Sequence, residues 1–115
     1  AVQKADQALD LTRQSRERGN EAMALRHLGD VHAQIDPVGS CRSANYYRTA
    51  LSLAEELGMR PLQAHCRLGL GTLYAKRGRG GQACDELSAA IELYREMKMT
   101  FWLPRAEAML AQTQN

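Results

Sequence analysis

The side chains with the most obvious chemistry are three histidines and three cysteines. His27 and His32 lie five residues apart. On a helix that spacing turns them roughly 140° from one another. They cannot share one metal ion as residues four apart could. His65 adjoins Cys66 and faces another way. Cys41, Cys66 and Cys84 form no CxxC pair, and their odd number fits a reduced compartment better than a disulfide framework. A nucleophilic cysteine needs an activating partner at a fixed site, and the sequence places none beside these three. Gly69, Gly71, Gly78, Gly80 and Gly81 invite a phosphate-loop reading. Yet Gly69-Leu70-Gly71 falls in a helical segment, Tyr74 stands where a third glycine is needed, and no Gly-Lys-Ser/Thr occurs. Glu55, Glu56 and Glu17 beside Arg13 read as solvated helix surface. The arginines Arg13, Arg16 and Arg18 alternate with Glu17 and Glu21 and lack interleaved stacking aromatics. These patterns point away from an enzyme, a bound cofactor, a metal site and a nucleic-acid surface.

Composition agrees. The chain has 115 residues, enough for one domain with a modest core. Fifteen basic residues against 13 acidic ones leave a net charge of +2, too balanced for a nucleic-acid or membrane-surface binder. A hydrophobic share of 44% excludes a disordered tail. Aromatics make up only 5%, and the abundance of Ala, Leu, Glu, Arg and Gln favours helix over strand. No apolar run approaches the roughly 20 residues of a membrane span. No secretory signal opens the chain. Ala1 already lies in a helical pattern, so the expectation is a fragment of a longer, cytoplasmic protein.

Two patterns repeat with one period. Ala8-Leu9-Asp10-Leu11, Ala50-Leu51-Ser52-Leu53 and Ala90-Ile91-Glu92-Leu93 are offset by 42 and then 40 residues. Leu28-Gly29 with His32 recurs 42 residues on as Leu70-Gly71 with Tyr74. Turn signals punctuate the period: Gly19-Asn20, the stretch from Ile35 to Ser40, Gly58 before Pro61, and Gly78-Arg79-Gly80-Gly81. Pro104 marks a further helix start, with Thr100 as an earlier alternative. The segments between are amphipathic, as in Ala83, Leu87, Ala90, Ile91, Tyr94 and Met97. The expected fold is all-α, with about six helices near 1–18, 21–35, 41–57, 61–77, 81–97 and 102–113, stacked as antiparallel hairpins.

These residues resemble the tetratricopeptide repeat. The best copy runs from about Ala64 to Met97, with Leu70, Gly71 and Tyr74 in helix A and Ala83, Leu87 and Ala90 in helix B. The earlier copy has Leu25, Leu28, Gly29 and His32, then Ser43, Tyr47 and Ala50. Residues 1–18 are similar to helix B of a preceding repeat, 21–57 and 61–97 to two repeats, and 102–113 to a final or closing helix. Arg67 departs from the pattern where a large apolar residue is usual, and the period of 40–42 exceeds the family's 34. The longer helices, with Glu56-Leu57-Gly58-Met59-Arg60-Pro61 and Met99-Thr100-Phe101-Trp102-Leu103-Pro104, are similar to the tails of bacterial multidomain signalling proteins that carry an ATPase core with a cyclase or DNA-binding domain.

The resemblance implies a right-handed α-solenoid with a concave face lined by the A helices. One stripe there is Met23, Arg26, Asp30 and Gln34, and its equivalent 42 residues on is His65, Leu68, Thr72 and Lys76. This face is either a groove for a protein segment or merely wet surface. The asparagines of the carboxylate-clamping version are absent, and Asp30 would repel a carboxylate. Phe101 and Trp102 either seat the last helix or form an edge through which two copies associate. The implied role is a non-catalytic interaction scaffold. It would bind a protein or peptide segment, or another domain of its parent chain, and neither nucleic acid nor membrane. A dimerisation module and a small-ligand sensor governing an attached domain are the alternatives.

Overall fold

In the computed structural model the backbone of residues 2–35 and 42–114 is described, with side chains over 17–35 and 42–113. Cys41 and the expected turn between Ile35 and Ser40 lie outside the described side chains or residues, apart from Ile35 itself. Five helices follow one another among the described residues, with no strand: α1 (Val2–Ile35), α2 (Arg42–Leu57), α3 (Arg60–Lys76), α4 (Gly80–Glu96) and α5 (Leu103–Gln114).

Helix ends are set by one recurring device. Gly58, Gly78 and Lys98 have φ of 70°, 76° and 55°, the left-handed conformation that turns a chain out of a helix. In each case the next amide bonds back across the last turn: Met59 N to Ala54 O at 2.8 Å, Arg79 N to Tyr74 O at 2.9 Å, and Met99 N to Tyr94 O at 2.9 Å. Glycine adopts this conformation freely, whereas Lys98 does so against the clash of its Cβ. Pro61 and Pro104 then fall in the first turns of α3 and α5, where a missing N–H costs nothing. Thr100 begins no helix; it lies in the turn between α4 and α5.

Two expected breaks are corrected. Residues 1–18 and 21–35 were to be separate helices, but α1 runs unbroken through Gly19-Asn20, so the count falls from six to five. Gly19 lacks the positive φ that a helix stop requires. Without a proline, one interior glycine weakens a helix by only about 0.5–1 kcal/mol and does not end it. The glycine turn is also shorter than expected: it closes at Arg79, and Gly80 and Gly81 open α4.

Each helix packs on its chain neighbours, with lesser contacts from α1 to α3 and from α3 to α5. Three apolar clusters record this. Ala22, Ala50, Ala54, Leu62 and Cys66 join α1, α2 and α3. Ala44, Tyr47, Leu70, Leu73, Tyr74 and Ala83 join α2, α3 and α4. Ala64, Ala90, Ile91, Tyr94 and Ala106 join α3, α4 and α5. The radius of gyration, 16.3 Å, exceeds the about 13 Å of a compact domain this long, as sequential packing dictates.

Alanine and glycine at the crossings let backbones approach. A Cβ on Gly71 would stand 2.6 Å from Leu87 Cγ, and one on Gly29 would stand 2.9 Å from the Tyr47 ring. Gly29 and Gly71 are equivalent in the repeat, as are Tyr47 and Leu87, so the same contact forms twice. Arg67, the departure from the apolar pattern, reaches Glu55 at 3.7 Å on α2 and Glu86 at 3.2 Å on α4. It ties three helices by charge where an apolar residue would do so by packing. Among the described residues no helix is long and apolar enough to cross a membrane.

Candidate functional site

The sequence stripes on α1 and α3 meet in one cleft. Arg26 and Asp30 line it from α1, and His65, Leu68, Thr72 and Lys76 from α3. The cleft has a volume of ≈ 230 Å³. Met23 does not line it, but lies in an adjoining hollow of ≈ 510 Å³ with Met59, Pro61 and Leu62, where Arg26 and His65 also stand. Gln34, exposed near the end of α1, lines neither. A third hollow, ≈ 460 Å³, continues from Thr72 and Lys76 across to Met109, Gln112 and Thr113 on α5.

Tyr47 and Trp102 are the wall residues that sequence reasoning placed elsewhere. Tyr47 reaches the cleft from α2 because Gly69, like Gly29, leaves room for its ring; a Cβ on Gly69 would lie 2.6 Å from it. Its hydroxyl donates a hydrogen bond to Asp30. Burial, and then this contact with Asp30, push the Tyr47 hydroxyl far above the ordinary phenol range. The other Asp30 oxygen lies 3.4 Å from Arg26 Nε, one helical turn away. That Nε is buried without a hydrogen bond of its own.

At the other wall, His65 meets Trp102 edge-on with ring centroids 4.6 Å apart, and its Nδ1 lies 2.8 Å from the Tyr94 hydroxyl. Burial, followed by the nearby Arg26 cation, lowers the His65 pKa below its usual value, against a smaller opposing pull from Asp30. Trp102 is half-buried and packs on the Ala90–Tyr94 cluster. Phe101 points outward, 63% exposed, with the Arg105 guanidinium 4.4 Å over its ring. Trp102 lines the cleft and Phe101 stands outside it, but the two rings meet edge-on with centroids 5.4 Å apart, and the Arg105 guanidinium also lies 5.5 Å from the Trp102 ring.

The remaining chemistry-bearing side chains are dispersed. Among the described residues no three His, Cys, Asp or Glu gather as a metal site would require. Cys66 is buried, and burial pushes its thiol up to about 12, the opposite of nucleophile activation. Cys84 is half-buried. His32 stacks on Tyr46 with centroids 5.2 Å apart. What the face offers is a row of adjoining recesses, apolar at the Met23 end, aromatic and ion-paired in the middle, and polar with a lysine at the other. In comparisons with known proteins, no family model, no curated protein and no solved structure matches the chain.

Proposed function

We propose that this chain is a non-catalytic interaction module of the tetratricopeptide type. It holds an extended segment of another protein, or of another domain of its parent chain, along the face shared by α1, α3 and α5. One observation carries the reading. Three hollows adjoin along that face, sharing Arg26 and His65 at one junction and Thr72 and Lys76 at the other. A row of open recesses suits an extended backbone that lays successive side chains into successive pockets. Met23, Met59 and Leu62 favour an apolar side chain at one end, and Lys76 an acidic one toward the other. The setting in keeping with the repeat and with the Glu56–Pro61 and Met99–Pro104 runs is a regulatory or assembly module of a cytoplasmic bacterial signalling protein.

The test is selection from a displayed random-peptide library against the full chain. The expected result is an enriched motif with an apolar and an acidic position, lost when selection uses Thr72→Arg or Lys76→Glu. Failure to enrich any motif, or recovery of the same motif with both variants, would overturn the reading.

A further inference from the structure

Two of the apolar clusters are copies of one another. Ala22, Ala50, Ala54 and Leu62 meet in the first, and Ala64, Ala90, Tyr94 and Trp102 in the second. Ala22 and Ala64 are 42 residues apart and the other three pairs 40, the two offsets of the sequence repeat. The turns repeat with them. Gly58 and Lys98 are both left-handed, and Gln63 N bonds to Met59 O at 3.0 Å as Leu103 N does to Met99 O at 3.1 Å. The copies differ in three side chains at one place. In the second copy His65 bonds to the Tyr94 hydroxyl at 2.8 Å, and Trp102 meets both rings, with centroids 4.6 and 6.3 Å away. In the first copy the counterparts are Met23, Ala54 and Leu62, none of which carries a ring. The hollow beside Met23 and Leu62 is correspondingly ≈ 510 Å³, against ≈ 230 Å³ for the cleft beside His65 and Trp102.

The repeat thus specifies an occupant. Its second copy seats an indole at the place where its first leaves space. The walls suit a ring: Met23 and Met59 offer polarizable thioethers, and Leu62 an apolar floor. The ionisable side chains beside them, Arg26, His27 and His65, include no carboxylate. Asp30 pairs with Arg26 at 3.4 Å but does not line this hollow, and Arg26 Nε is buried without a hydrogen bond. A guanidinium attracts the negative face of an aromatic ring, as Arg105 does at 5.5 Å over Trp102. We infer that the hollow is an aromatic-anchor site, which takes an indole or phenol side chain of the bound segment between Met23, Met59 and Leu62. The inference rests on the peptide-binding reading for the source of the ring, and on the chain's own repeat for its place.

The full chain, carrying isotope-labelled methionine methyls, is titrated with N-acetyl-tryptophanamide and N-acetyl-leucinamide and followed by NMR. Saturable upfield ring-current shifts at Met23 and Met59 are expected with the tryptophan amide, and binding roughly tenfold weaker with the leucine amide. Met23→Glu, at a position 52% exposed, should weaken the tryptophan amide by a similar factor with helical circular dichroism retained. Leu62→Trp, at the position equivalent to Trp102, should fill the hollow from within and abolish binding of the amide. Unmoved Met23 and Met59 methyls, equal affinity for the leucine amide, or unchanged binding by Met23→Glu would overturn the inference. Peptide selection separates it from the reading it rests on. Selected peptides should carry Trp or Tyr at the apolar position; aliphatic residues there would overturn the inference and leave peptide binding intact. No enriched motif, with the tryptophan amide still shifting Met23 and Met59, would overturn the peptide reading alone and support the ring site.

Discussion

The Tyr47 hydroxyl on α2 donates a hydrogen bond to the Asp30 carboxylate on α1, and so fixes one wall of the cleft from behind. Tyr47→Phe keeps the ring between Gly29 and Gly69 and removes only this bond. A hydrogen bond to a charged group contributes about 1.5–3 kcal/mol. Water can replace part of it at Asp30, whose side chain is 38% exposed, so a loss of about 1 kcal/mol is expected. Tyr47→Ala empties the core position and should cost about 3–5 kcal/mol. Urea unfolding of both variants checks the gap. Equal losses would mean that the hydroxyl outweighs the ring.

Stability should pass through a plateau in pH. The His65 pKa is lowered in the fold, by burial first and by Arg26 second, so the unfolded chain takes up the proton more readily. Its contribution is present above the ordinary value of 6.5 and lost as pH falls below it. Tyr47 and Tyr94 are raised, chiefly by burial, so their contribution is complete below the ordinary 10.0 and lost as pH rises above it. Urea midpoints against pH should fall at both ends. His65→Gln should flatten the acid limb and Tyr47→Phe the alkaline one; limbs unchanged in these variants would contradict the assignment.

Two glycine-to-alanine changes should have opposite signs. At Gly71 the new Cβ would stand 2.6 Å from Leu87 Cγ and 3.3 Å from its backbone nitrogen, so overpacking should cost about 1–3 kcal/mol, and Gly71→Leu more. At Gly19 the nearest atom is Met59 Sδ at 3.6 Å, an ordinary contact, and the backbone is helical. Gly19→Ala should therefore stabilise by about 0.5–1 kcal/mol. Destabilisation by Gly19→Ala would mean that residue 19 turns the chain after all.

Lys98 occupies the position that Gly58 and Gly78 fill at the two preceding helix ends. Lys98→Gly removes the Cβ clash at φ 55° and should gain about 0.5–1 kcal/mol after glycine's extra unfolded freedom is counted. Thermal melting compares the two directly. A lower midpoint for Lys98→Gly would contradict the shared geometry.

Much of this was legible in the chain. The 42-residue offset paired Gly29 with Gly71 and defined two stripes of eight residues, of which six, Arg26, Asp30, His65, Leu68, Thr72 and Lys76, line one cleft. That the Tyr47 ring and Leu87 fill the space at these glycines is read only from the packing. The unbroken α1 was not legible either, since glycine followed by asparagine resembles a stop and only the backbone angle decides. Trp102 in the cleft wall was also hidden. Its neighbours His65 and Tyr94 lie 37 and 8 residues away, and only the packing of α5 on α3 and α4 brings all three together. The Tyr47–Asp30 bond left no sequence signal, because each residue alone reads as core or surface.

Trp102 is the chain's single tryptophan and stands in the cleft wall, so its fluorescence reports occupation directly. Peptides selected by the parent protein should change Trp102 emission in a saturable titration, and Thr72→Arg should abolish the change while leaving the melting temperature near the parent's. Selected peptides that bind by calorimetry yet leave Trp102 emission unmoved, and bind Thr72→Arg equally well, would place recognition elsewhere on the molecule and contradict the cleft as the binding face.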